Sequence, residues 1–444
     1  MGRKKTKKPR YAPDTALRLV TMREDLEELA RRLYDMACCG SKAVWPEIAA
    51  PEEMRGDLEL RRKFLRAAHT GMATAQRELV NQIGSITEPS FSHELLFRTV
   101  ADSIAWQLLG LQLCYARRLF KGHRQPNLRN SNFASVVAAA EHMISTRPGC
   151  MALISDLTSF VQVGDLLTLE ESGGFAIVEV KEGSKNRKIQ DLLKVFAESG
   201  CERVLYDFAE QGGQKSVEQL GRTLRQAERM SYVIDVMSTG TAIDPDTKKT
   251  LRIPDEFVVL NTWDDELNRV LTESAIKGWA ISVIDGCLFV GCYAESSMKM
   301  AGHMVFNVWF DEFGGTEKCP RATLLDGLQY PLALPVFLRN IPPEFKFDIL
   351  FGRKQLCMGV NVEMFLEQCK KHGLRVRDAS NKEATRLDQS GNRPYRHKGK
   401  VVFIGNSQTE MALMDGIFLR TMFHGQRPVQ VIESLLNKHA PQPQ

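Results

Sequence analysis

The chain has 444 residues, 43% of them hydrophobic, enough for two or three packed domains. Its net charge of +5 is smaller than the charge of Arg3, Lys4, Lys5, Lys7, Lys8 and Arg10 together, so the chain beyond residue 10 is slightly acidic and nucleic-acid binding would need local patches. No apolar run reaches the roughly eighteen residues of a membrane span, the cysteines include no Cys-x-x-Cys pair, and no Gly-rich phosphate loop, dinucleotide fingerprint or Gly-x-Ser-x-Gly elbow occurs, which argues against a membrane protein, a zinc module, an NTP-driven motor and a serine hydrolase.

Residues 1–13 read as a basic disordered tail. Residues 14–129 read as an all-helical domain. Leu19, Met22, Leu26, Leu29, Leu33 and Met36 alternate spacings of three and four, the mark of a helix with a narrow apolar seam. That seam suits packing within the chain, with a homo-oligomer through these N-terminal helices as the alternative. Two more helices are expected near Glu52–Ile83 and His93–Phe120, the latter apolar on most faces and so central.

Residues 130–295 alternate helices and strands. Asn132–Thr146 and Ser216–Met230 read as helices, Ser231–Met237 and Glu256–Leu260 as strands, and Ala280–Tyr293 as a hairpin turning at Asp285-Gly286. Residues 296–444 read as an α/β region. There Val401–Gly405 is expected as a strand leading into a helix at Ser407, where Ser407 and Glu410 form a capping-box pattern. Before that strand, Arg393, Arg396 and Lys398 stand in a basic loop interleaved with Tyr395 and His397, a composition suited to a nucleic-acid backbone and its bases.

The middle region holds the residues that carry chemistry. Val161–Leu167 and Phe175–Lys181 flank a Glu170-Glu-Ser-Gly-Gly174 turn and read as one two-stranded ribbon. Side chains alternate along a strand, so Glu179 and Lys181 share a face, while Val178 and Val180 point to a core. If the ribbon is centred on Ser172, Asp165 lies across from Glu179, and two facing carboxylates need a cation. Two carboxylates with water and phosphate oxygens suit Mg²⁺, and Mn²⁺ can stand in for it. A second Glu-x-Lys, Glu344-Phe-Lys346, follows Pro342-Pro343 with no acid-bearing strand joined to it, and we reject it.

Asp165 with Glu179-Val180-Lys181 resembles the PD-(D/E)xK phosphodiesterase superfamily, which includes restriction endonucleases and junction resolvases. The resemblance covers roughly residues 130–240. It implies a restriction-endonuclease-like core in the order αβββαβ within a mixed α/β protein, and Mg²⁺-dependent cleavage of phosphodiester bonds. It further implies that Asp165 and Glu179 hold the metal, that Lys181 orients or activates water, and that Glu141 on the preceding helix is a further candidate ligand. A Gln on the following helix, Gln219 ahead of Gln190, is the remaining candidate for the site. Lys185, Arg187 and Lys188 stand where a nuclease would hold the phosphate backbone. One departure is that Gly164, where the family name has Pro, precedes Asp165. DNA is expected ahead of RNA, in a cytoplasmic restriction or phage-defence setting, with a protein partner left open. The alternative is a nucleic-acid-binding or assembly protein that keeps the fold without the chemistry.

Overall fold

The computed structural model describes residues 21–438 apart from 48–55, 124, 127, 129–132, 181–188, 190, 193–194, 196–198, 201–202, 247, 254–260, 295, 315–318 and 390–393. The protein is mixed α/β with small antiparallel sheets. It forms two compact units, one of residues 32–89 and 97–255, the other of residues 1–31, 90–96 and 256–444. Most of the helical N-terminal segment, residues 32–89 and 97–129, therefore shares a unit with the region carrying the ribbon, while residues up to 31, residues 90–96 and the hairpin at 279–293 belong with the C-terminal residues. Among the described residues no helix is long and apolar enough to cross a membrane.

In the first unit, helices α1 (Glu27–Cys39) and α2 (Leu58–Ser85) approach so closely that a Cβ on Gly71 would collide with the Met36 carbonyl. Of the expected seam, Met22, Leu26 and Leu33 are buried within the chain and Leu29 and Met36 are half-buried. Helix α3 (Phe91–Leu108) is the buried one, with Leu96, Val100, Ile104 and Trp106 fully enclosed. The expected continuous helix to Phe120 is broken. Gly110 and Leu111 adopt positive φ, and a separate α4 (Leu113–Leu119) follows.

Helix α5 (Phe133–Thr146) then leads into a three-stranded antiparallel sheet, β1 (Met151–Ile154), β2 (Leu166–Leu169) and β3 (Phe175–Val178), in the order β1-β2-β3. Leu166 pairs with Val178 and Leu169 with Phe175, so the β2–β3 hairpin is centred on Ser172, as its spacing implies. The outer edge of β1 is closed by one buried side chain of α2. Gln76 donates to the Ala152 carbonyl at 2.9 Å and accepts from the Ile154 N–H at 2.8 Å, in place of a neighbouring strand.

Helix α6 (Arg203–Thr239) is interrupted at Gly213. It includes Ser231–Met237, which reads as a strand from its β-branched run. Tyr232, Val233 and Val236 are buried at helical spacing, and packing overrides the local β-propensity. After α6, β4 (Thr241–Ile243) pairs with β5 (Thr250–Arg252) in a sheet of two. Helix, three strands, helix and strand thus occur in the expected order, but among the described residues β4 does not join the three-stranded sheet. Glu256–Leu260 lies outside the described residues.

The second unit is built on an antiparallel sheet in the order β6-β7-β9-β8, from β6 (Trp279–Ile284), β7 (Leu288–Tyr293), β8 (Arg321–Thr323) and β9 (Gln355–Val360). The turn between β6 and β7 has Asp285 and Gly286 both at positive φ, as an Asp-Gly turn requires. Helix α7 (Asp264–Lys277) packs on this sheet, as does α8 (Ser296–Glu312). Glu344 and Lys346 lie on helix α9 (Pro343–Leu350), where the buried Lys346 ammonium donates to the Phe337 carbonyl at 2.7 Å. Helix α10 (Val362–Lys371), β10 (Arg375–Asp378) and α11 (Asn381–Gln389) follow.

The last sheet joins β10 and β11 (Arg396–His397) to opposite sides of β12 (Lys400–Gly405). The helix expected at Ser407 is not formed. The Asn406 side chain accepts from the N–H groups of Gln408 and Thr409, each at 2.8 Å, and the chain turns back as β13 (Glu410–Ala412). An Asn that takes those amides in a turn competes directly with the capping box. Helices α12 (Gly416–Phe423) and α13 (Pro428–Lys438) complete the unit.

Candidate active site

The ends of β2 and β3 open on a cavity of about 250 Å³ in the first unit, and both Asp165 and Glu179 line it. Asp165 immediately precedes β2 and Glu179 immediately follows β3. The Asp165 N–H donates to the Val178 carbonyl at 2.8 Å, and Asp165 Oδ2 accepts from the Val180 N–H at 2.6 Å. The carboxylate thereby ties the end of one strand to the residue after Glu179. A bond from an amide to an ionised acceptor is among the stronger kinds, and this one fixes the Asp165 rotamer.

The backbone at Gly164 requires glycine. Its φ is +74°, and a Cβ there would collide with Ile177 Cγ2 and stand 3.1 Å from the Val178 carbonyl oxygen. Proline, fixed near φ −65°, cannot take this conformation, and glycine takes it at no steric cost.

The same cavity is lined by residues brought from elsewhere in the unit. Asp156 comes from the turn after β1, Lys121 and Gln125 from the segment after α4, and Gln226 from α6. The loop 155–165 is held from below by α3. The buried Arg98 guanidinium donates to the Thr158 carbonyl at 2.7 Å, and Asp102 accepts from the Ser159 amide at 2.7 Å and hydroxyl at 2.6 Å. Burial pushes the Asp102 carboxyl up to about 7. From the side, Gln162 bridges to the Lys121 segment. Its Oε1 accepts from the Lys121 N–H at 2.7 Å, its N–H donates to the Leu119 carbonyl at 3.0 Å, and its Nε2 donates to the His123 carbonyl at 2.6 Å. Helix α6 is joined to the same segment by Arg118, which donates to the Tyr232 hydroxyl at 3.0 Å.

These groups feel one another. Burial lowers the Lys121 ammonium pKa and Arg229 adds to the effect, while the Glu179 carboxylate opposes it. Asp156 is raised by desolvation and further by Glu179, with Arg98 acting the other way. Its side chain lines the cavity and reaches solvent. Three carboxylates and a lysine thus share one opening. Among the described residues no three His, Cys, Asp or Glu side chains group closely enough to hold a metal ion between them. A divalent ion bound at Asp165 and Glu179 would complete its shell with water or phosphate oxygens, an arrangement that Mg²⁺ favours.

Other residues singled out in the sequence fall elsewhere. Glu141 on α5 is half-exposed and pairs with Arg77 of α2 at 2.9 Å, and it is not among the cavity's lining residues. Gln219 is not among them either; Gln226, two helical turns later on the same polar face, is. Lys181, Lys185, Arg187, Lys188, Gln190 and Arg393 lie outside the described residues. Arg396 pairs with Asp388 at 2.8 Å and Lys398 with Glu363 at 3.1 Å, so this stretch carries less net positive charge than its sequence suggests. It forms a tight β11–β12 hairpin, and the Tyr395 ring lies edge-on to Phe418 at 4.9 Å.

Lys121 and Asp156 have no motif around them and were not legible as site residues. The nearest signal for Asp156 is its place just past the buried apolar run Met151–Ile154. No protein-family model matches this chain, and neither does any curated protein or solved structure.

Proposed function

We propose that this protein is a divalent-metal-dependent phosphodiesterase that cleaves nucleic acid, with DNA the expected substrate, and that the cavity at the ends of β2 and β3 is its active site. The observation that supports this most directly is that Asp165 and Glu179, at the ends of two paired strands, line one cavity together with a third carboxylate and a lysine. Carboxylates gathered at a concave site with perturbed neighbours are uncommon in purely structural roles.

In this reading Asp165 and Glu179 bind the metal, which when present supplies Lewis-acid stabilisation and a more acidic water. The Val180 amide holds Asp165 in its binding rotamer. Lys121 offers positive charge to a phosphate oxygen, and Gln226 offers an amide for orienting substrate or water. Lys181, two residues beyond Glu179, takes the family role of orienting water.

The test is incubation of purified protein with plasmid, linear single-stranded DNA and RNA, with Mg²⁺, Mn²⁺ or chelator. Cleavage should require the metal, and both Asp165→Asn and Glu179→Gln should reduce it by at least about a hundredfold while the fold is retained. Absence of cleavage of every substrate with either ion, or undiminished cleavage by both variants, would remove the reading.

A further inference from the structure

Among the described residues strand β6 is an edge of the second unit's main sheet, and one of its faces is apolar and exposed. Ala280 and Ile284 are buried, whereas Trp279, Ile281 and Val283 are 43%, 39% and 43% exposed. Their cross-strand neighbours on β7 are Tyr293, Gly291 and Phe289. That face is covered over β7 by α8, with Phe310 5.1 Å from Phe289 and Phe306 beside Gly291. One flank of α8 reaches outward over β9 and β8, where His303 meets Gln355 at 3.1 Å and Asn307 meets Arg321 at 2.6 Å. On the same helix Val305 and Val308 are 41% and 70% exposed.

The backbone of β6 has the matching polarity. The Gly278 carbonyl accepts from Ala294 and the Ile284 carbonyl from Cys287, so the even-numbered residues bond toward β7. Residues 279, 281 and 283 direct their N–H and C=O groups outward. The residues with exposed apolar side chains are thus the ones with outward hydrogen-bonding groups. Edge strands are ordinarily guarded by charge, proline or a bulge. Trp279–Ile284 contains no charged residue and no proline, and it pairs with β7 without interruption.

We propose that β6 is a homodimer interface, pairing antiparallel with β6 of a second copy about a two-fold axis at Ile281. The register is self-complementary. Ile281 faces its own equivalent, and each Trp279 faces a Val283, a large residue against a small one. About six backbone hydrogen bonds form between outward groups. No like charges are opposed. Covering Trp279, Ile281, Val283 and the outward strand edge of both copies makes an interface at the small end of the specific range, with the backbone bonds fixing its register. An unrelated extended peptide would satisfy the backbone, but the symmetric side-chain match favours a second copy.

Sedimentation equilibrium of the full chain tests this. The wild type should be a dimer, and the paired substitution Ile281→Lys with Val283→Lys should weaken association by about a hundredfold or more, with circular dichroism unchanged because both positions are exposed. Ile281→Cys supplies an independent readout. Directly opposed hydrogen-bonded residues have Cα atoms roughly 5.5 Å apart, within disulfide reach, so mild oxidation should give a reducible covalent dimer that the wild type does not form. A wild type that stays monomeric at about 100 μM overturns the proposal, even if a foreign strand is found to bind. So does a dimer that survives the lysine pair and is not cross-linked through Cys at 281.

Discussion

Gly164→Ala tests the geometry on which the candidate site depends. The φ of +74° costs an L-residue roughly 1–2 kcal/mol, and the new Cβ must also displace Ile177 Cγ2 or the backbone of Val178. Ile177 is 5% exposed and has little room to yield, so overpacking adds about 1–3 kcal/mol. A total near 3 kcal/mol should lower the melting of the unit formed by residues 32–89 and 97–255 by roughly 6–12 °C. Calorimetry is the suitable assay, because two units need not melt as one transition. Ile177→Ala is itself destabilising through its cavity, but it removes the colliding methyl. The double variant should therefore be more stable than additivity allows, by about 1–2 kcal/mol. Cleavage should fall with Gly164→Ala as Asp165 is displaced. A melting change equivalent to less than about 0.5 kcal/mol, or strict additivity with Ile177→Ala, would refute the positive-φ geometry and with it the account of why glycine stands there.

Two further outcomes follow from the same unit. Lys121→Met should weaken cleavage by about tenfold or more and reduce binding of a short oligonucleotide measured by fluorescence anisotropy, with melting little changed; unaltered binding and turnover would show that this ammonium does not meet phosphate. Asp102→Asn probes a carboxyl whose folded pKa, raised to about 7, exceeds its unfolded value, so the native state holds the extra proton between about pH 4 and 7 and loses the associated stability as pH rises through 7. Asn resembles the protonated form, so the variant should gain melting temperature over the wild type at pH 8 and not at pH 4. A gap independent of pH would mean that Asp102 titrates normally.

What was legible in the sequence follows from how far each signal reaches along the chain. The strand runs and the Gly-Gly turn centre the ribbon on Ser172 and the Leu166–Val178 register agrees, but the expected core face does not, since Ile177 is buried and Val178 and Val180 are half-buried. Both signals lie within a few residues of the elements they specify. Ser231–Met237 misleads because β-branched residues occupy positions that a long helix buries at its own period, and tertiary packing decides between them. The capping pattern at Ser407 is likewise outcompeted by a neighbour, Asn406, that a motif search does not weigh.

The candidate site divides in the same way. Asp165 and Glu179 belong to one hairpin and can be placed by counting. Lys121, Asp156 and Gln226 reach the cavity only because Gln162, Arg98, Asp102 and Arg118 tie loops and helices distant in sequence, and such bonds leave no periodic trace. Glu141 is a candidate only through the resemblance, and its carboxylate pairs with Arg77 of α2 outside the cavity lining. Gly164 stands between the two kinds of information. Its identity departs from the family pattern when read as sequence, and only the collision with Ile177, across the hairpin, gives the physical reason. A residue type at odds with its motif is thus a constraint to be located in space, and here it marks the bend from which the first metal-binding candidate, Asp165, enters the cavity.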